Sequence, residues 1–97
     1  MARVDLLPGV FDDFDRILDH LARYDVEAAP RRIAEIVTAL DVLVTNPQIG
    51  RPVRGGKREL VIGRGTRGYL ALYRYVAELD AVFVLAVRSQ KEGAYKR

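Results

Sequence analysis

The sequence predicts an α+β fold in which a short N-terminal strand and a helical hairpin pack on an antiparallel sheet, in the order β-α-α-β-β-β. Three observations predict it. Apolar residues recur every three or four positions from Phe11 to Val44, and every second position from residue 59 onward. The change of period falls in PQIGRPVRGGKR, residues 47–58, where two prolines and three glycines interrupt any repeat. Helical and strand patterns are thus segregated along the chain, which favours α+β over alternating parallel units.

Taken in order, Arg3-Val4-Asp5-Leu6-Leu7 is a brief strand stopped by Pro8-Gly9. Phe11, Phe14, Ile17, Leu18 and Leu21 then trace the apolar stripe of a first helix, with acidic residues in its early turns, where the helix dipole favours them. Asp25-Val26 breaks it. A second helix opens at Pro30 and runs through Ile33, Ile36, Val37, Leu40, Leu43 and Val44. It ends at Thr45-Asn46-Pro47, because a residue before proline is pushed out of the helical region. Residues 47–58 read as a loop. Strands come next at residues 59–62, 69–76 and 81–87, the last apolar enough to be covered on both faces. Residues 77–80 make a hairpin connection, and a polar, basic tail closes the chain.

A length of 97 residues predicts one domain, residues 1–97. There is no cysteine, which excludes disulfides and thiolate metal sites. The start, MARVDLLPGVFDDFD, lacks the apolar run of a signal peptide, and no stretch suits a membrane span, so a cytoplasmic protein without membrane partners is expected. The net charge of +3 hides an asymmetry: residues 1–50 hold five arginines against nine carboxylates, residues 51–97 eleven lysines and arginines against four. The second half thus builds a basic surface suited to phosphates or an acidic partner, the alternative being an ordinary solvated face.

Gly63-Arg64-Gly65-Thr66-Arg67-Gly68 spells a dinucleotide fingerprint, yet the next residues form a strand and not the helix whose amides would meet a pyrophosphate. It reads as an inter-strand loop that presents Arg64 and Arg67 to solvent or to a phosphate. His20, the single histidine, falls on the first helix, away from the basic half, and reads as a surface residue. One histidine and scattered acids make no metal site, and no cofactor is expected. Tyr69, Tyr73 and Tyr75 share a strand face, for packing or for stacking of nucleobases. Tyr95 sits in the tail among Arg88, Lys91, Lys96 and Arg97, where the cations are expected either to lower its pKa for proton transfer or to leave it as an anchor on the sheet.

The ordering of these pieces resembles the RelE/ParE superfamily of toxins, also called the plasmid stabilisation family. The stretches that carry the likeness are Gly50-Arg51-Pro52, KRELVIG at 57–63, GYLALYRY at 68–75 and VFVLAVRSQKEGAY at 82–95. The resemblance implies a growth-inhibiting toxin held inactive by a cognate antitoxin with an acidic or partly disordered C-terminal segment. It implies one of two actions: RelE-like, ribosome-dependent cleavage of messenger RNA without a metal, or ParE-like inhibition of DNA gyrase. The first is the leading expectation, with Arg64, Arg67, Arg88, Lys91 and Tyr95 as the catalytic set and Lys57, Arg58 and Arg74 on the RNA. The chain departs from both patterns. RelE-type lysines are missing from residues 59–63, Leu70 stands where the family has arginine, and the His-Gly-x-x-Arg tail of many ParE-like chains is absent. A catalytically inert remnant that only captures its antitoxin is the third reading.

Overall fold

The computed structural model describes residues 1–96; Arg97, one of the tail's cations in the sequence reading, lies outside the described residues. The elements are β1 (Arg3–Leu6), α1 (Pro8–Ala22), α2 (Ala29–Leu40), α3 (Val42–Thr45), β2 (Arg51–Val53), β3 (Lys57–Ile62), β4 (Tyr69–Val76) and β5 (Ala81–Ser89). They form the expected α+β arrangement, with the helices on one face of a five-stranded sheet ordered β1-β5-β4-β3-β2.

Besides a break at Asp41 that divides the expected second helix into α2 and α3, two features differ from the sequence expectation. The sheet is mixed: β1 lies parallel to β5, Arg3 opposite Ala81 and Leu6 opposite Val84, while every other pairing is antiparallel. A strand that returns to its sheet through helices is free to lie parallel, and β5, with Ala81, Val82 and Val84 fully buried, requires a neighbour on each side. The second difference is β2, which occupies part of the stretch read as a loop. Pro52 is tolerated there because β2 is the sheet's outer strand, where a missing N–H faces no partner. The glycines that looked like loop punctuation, Gly55 (φ 86°) and Gly56 (φ 70°), turn the β2–β3 hairpin.

The core forms where the apolar stripes of the helices meet the sheet: Val10, Phe14 and Ile17 of α1, Ile36 and Leu40 of α2 and Leu43 of α3 pack on Tyr73, Val82, Val84 and Val87. The even-spaced tyrosines of β4 therefore lie beneath helices. Tyr69 and Tyr73 are buried, so their face serves packing and is closed to nucleobases. Tyr73 also has a polar duty, its Oη accepting the buried Gly50 N–H at 2.9 Å.

Side chains of α1 finish an edge of the sheet. β1 pairs with β5 only as far as Val84, leaving the rest of that edge without a strand. Two residues one helical turn apart complete it: Asp13 Oδ2 accepts the Val87 N–H at 2.9 Å and Arg16 Nη2 donates to the Val87 carbonyl at 3.2 Å. Arg16 also joins Asp13 Oδ1 at 2.7 Å and Glu92 Oε2 at 3.0 Å, so the fully buried Asp13 is bonded on both oxygens. The turn after β5 is thereby fastened to the first helix.

Candidate functional site

The helix-free face of the sheet carries a closed polar cluster. Strand alternation puts Glu59 on this face, since its neighbours Leu60 and Ile62 join the core opposite. Arg51 lies directly across from Glu59 in the β2–β3 register and donates to Oε1 through both Nε, at 2.9 Å, and Nη2. Tyr95 reaches back from the tail and donates its phenolic proton to Glu59 Oε2 at 2.6 Å. The Arg88 guanidinium rests over the Tyr95 ring, 5.1 Å from its centroid, and donates to the Glu92 and Ser89 carbonyls.

This closure sets the electrostatics. Burial and the hydrogen bond to the Glu59 carboxylate, with its charge, push the Tyr95 phenol well above its ordinary range, and Arg88 only partly opposes them. The lowered phenol considered from sequence is thus corrected: Tyr95 is a neutral donor anchoring the tail. Burial would raise the Glu59 carboxyl, but the bonds from Tyr95 and Arg51, with the charges of Arg51 and Arg88, outweigh it and leave the group below its ordinary 4.5. Glu92 is likewise lowered: burial opposes ionisation, while the Ser89 amide and Arg16 favour it more strongly. Both groups stabilise the fold fully above the ordinary carboxylate value, and that contribution is lost as pH falls through their depressed folded values. The thermal midpoint should therefore hold steady from pH 7 to about pH 5 and decline below that range. Glu59→Gln and Glu92→Gln should each flatten the acid limb in circular dichroism melts; an unchanged limb in both would refute this assignment.

The eight residues expected at a cleavage site do not assemble into one. Arg88 and Tyr95 meet, but the others lie apart from that pair. Arg67 and Lys91 instead line a groove on the helical side. Arg64 is exposed in the loop before the 3-10 turn Gly65–Arg67, which leads into β4 as a strand and bears out the rejection of the dinucleotide motif. Arg58 faces the helices and is held by the carbonyls of Gln48 at 3.1 Å and Gly50 at 2.8 Å. Arg74 donates to Gly55 O at 2.9 Å across the hairpin turn, beside Lys57. His20 is exposed near the end of α1, its ring edge-on to Tyr24.

The groove itself was not legible in the sequence. It encloses about 820 Å³ between α1, the start of α2 and the ends of β4 and β5. Arg16, Arg23 and Arg32 come to it from the acidic half of the chain, and Arg67 and Lys91 from the basic half. Averaging charge over each half concealed this convergence. Glu59 and Arg51 were missed for another reason: their pairing exists only once β2 is recognised as a strand.

The fold is a small α+β domain with its helices on one face of a five-stranded mixed sheet. The family model described as the ParE toxin of the type II toxin–antitoxin system parDE matches residues 4–93, and the chain belongs to that family. Among solved structures, the chain is similar to one titled as the chromosomal ParDE toxin–antitoxin system from P. aeruginosa: 25% identity, 92% of this chain and 96% of that one covered, TM-score 0.77. It shares its fold with the intact E. coli RelBE toxin–antitoxin complex, at 16% identity with 95% and 100% covered and TM-score 0.62. The same holds for the RelBE2 complex from Mycobacterium tuberculosis, at 24% identity, 91% and 96% covered, TM-score 0.58. A comparison with curated proteins found no match.

Proposed function

We propose that this chain is a cytoplasmic toxin, neutralised by a cognate antitoxin, that arrests growth by binding DNA gyrase and not by cleaving RNA. The observation that carries the choice is the bond from Tyr95 to Glu59. Metal-free RNA cleavage needs a group that takes up or releases a proton near the scissile phosphate. Here the only tyrosine of the tail holds its proton against a carboxylate, and its pKa is raised. Glu59, between Arg51 and Arg88, also places negative charge where a phosphate would need positive charge. Such a surface suits recognition better than phosphodiester chemistry. The family match and the likeness to the ParDE structure support the same choice.

The test is induction without antitoxin, with DNA and protein synthesis followed separately in the same cells. DNA synthesis should fail first, with a DNA-damage response and translation intact, and Tyr95→Phe should still arrest growth. Early loss of translation that Tyr95→Phe abolishes would restore the ribosome-dependent nuclease, and no arrest at all would leave an inert antitoxin-binding remnant.

A further inference from the structure

We propose that the β2–β3 edge of the sheet, with its cations Arg51, Arg54, Lys57 and Arg74 and its exposed Val61 and Ile49, docks on an acidic protein surface of gyrase. This rests on the gyrase reading above and names the side chains that carry it.

Charge gathers at this edge without being answered. Lys57 and Arg74 come side by side on the helix-free face, one step beyond the Arg58–Tyr73 pair in the β3–β4 register. Both head groups lean over the Gly55–Gly56 turn: a Cβ on Gly55 would stand 3.9 Å from Lys57 Nζ, and one on Gly56 3.2 Å from Arg74 Nη1. Like charges in adjacent cross-strand positions oppose folding. Arg54 is exposed in the same turn, and Arg54, Lys57 and Arg74 have no carboxylate partner among the described residues. Arg51 keeps 62% of its side chain exposed even while it bonds Glu59. Glu59 is shared with Tyr95, and Asp5 on the same face is taken by Arg3 at 2.9 Å. The edge is therefore a cationic patch retained at a cost to the fold, and an acidic surface relieves it.

The neighbouring residues decide the kind of acid. Val61, two positions from Glu59 on this face, is 50% exposed, and Ile49, ahead of β2, is 55% exposed. Apolar contacts of this kind, beside the Glu59 carboxylate, suit a protein surface better than a phosphate backbone. A second copy of the chain would set the same charges against each other. Strand addition is blocked too, because the outer strand β2 spans three residues with Pro52 at its centre. What remains is docking by side chains, with Val61 and Ile49 entering an apolar depression and the cations meeting its acidic rim.

The experiment measures binding of the full chain to immobilised DNA gyrase without DNA, at low and high salt, together with inhibition of supercoiling. Arg54→Glu, Lys57→Glu and Arg74→Glu combined should weaken binding by at least about tenfold, chiefly through slower association, and flatten the salt dependence. Inhibition should fall with it. The neutral set Arg54→Gln, Lys57→Gln, Arg74→Gln should fall between, and circular dichroism verifies the fold of both. Val61→Thr, which keeps the shape and the β-branch, should weaken binding about threefold with the salt dependence unchanged. Arg31→Glu, exposed on α2, should bind like wild type. Wild-type affinity in both charge variants overturns the proposal, as does an equal loss in Arg31→Glu, which would mark net charge alone. Binding of wild type to a short DNA duplex that the triple variant loses would reassign the patch to phosphate and overturn it as well. If wild type neither binds nor inhibits gyrase, the gyrase reading itself fails and this docking falls with it.

Discussion

Asp13→Ala is expected to destabilise the protein by about 2–4 kcal/mol. Asp13 is fully buried and accepts from both the Val87 amide and Arg16. Its removal leaves a buried N–H unpaired at the one stretch of β5 that no strand completes. Arg16 keeps Glu92 and is partly exposed, which holds the cost below that of an isolated buried ion pair. For a protein with some 5–15 kcal/mol in hand, the loss is a large fraction, and a fall in melting temperature of about 10–20 °C should accompany it. Asp13→Asn retains an acceptor for Val87 and should lose roughly half as much. A melt of the alanine variant that matched wild type would show that β5 does not depend on α1 for its edge.

Gly50→Ala should cost a comparable amount, about 2–4 kcal/mol, through overpacking. A methyl group there would stand 2.7 Å from both Cε1 and Oη of Tyr73 and 3.0 Å from the Glu59 carbonyl. Tyr73 is fully buried and has nowhere to go, so the phenol is displaced and its bond to the Gly50 amide is broken. Tyr73→Phe alone should cost about 1–2 kcal/mol for the unpaired amide. The two changes should combine to less than their sum, because the missing oxygen removes part of the clash. Strict additivity in denaturant titrations would contradict this account. The strain reaches the functional face as well, since Gly50 precedes β2, whose Arg51 holds Glu59.

Much of the fold was legible because hydrophobic period reports burial directly. Phe14 and Ile17 of the first helical stripe and the doubly apolar run of β5 face the core as their spacing implied, whereas Phe11 is 54% exposed and Val10, outside the stripe as read, is buried in its place. β2 was not legible: three residues containing Pro52 carry no alternation, and their strand character comes from pairing with residues 57–59. The parallel union of β1 with β5 was hidden for a related reason, since a four-residue strand does not announce its partner. At the candidate site, Arg88 and Tyr95 were found from their place in the tail, but the sign of the phenol's shift was not. That sign depends on Glu59, which looked like one of several scattered acids until folding put it under the tyrosine. Arg23 and Arg32 were overlooked because they sit among carboxylates in sequence and meet Arg67 and Lys91 only in space.

The joining of the first helix to the last strand also sets the order of manufacture. Asp13 waits for a partner 74 positions downstream and Arg16 for one 76 positions downstream, while β1 has no strand to pair with until β5 exists. During synthesis the N-terminal strand and hairpin therefore emerge with their apolar faces uncovered, and the sheet closes only once β5 has been made. A ribosome that stalls before Val87 releases a fragment with neither a finished core nor a tail to anchor. Translation through β5 thus acts as a safeguard in the fold itself, because a copy aborted before it is an unfolded chain open to proteases.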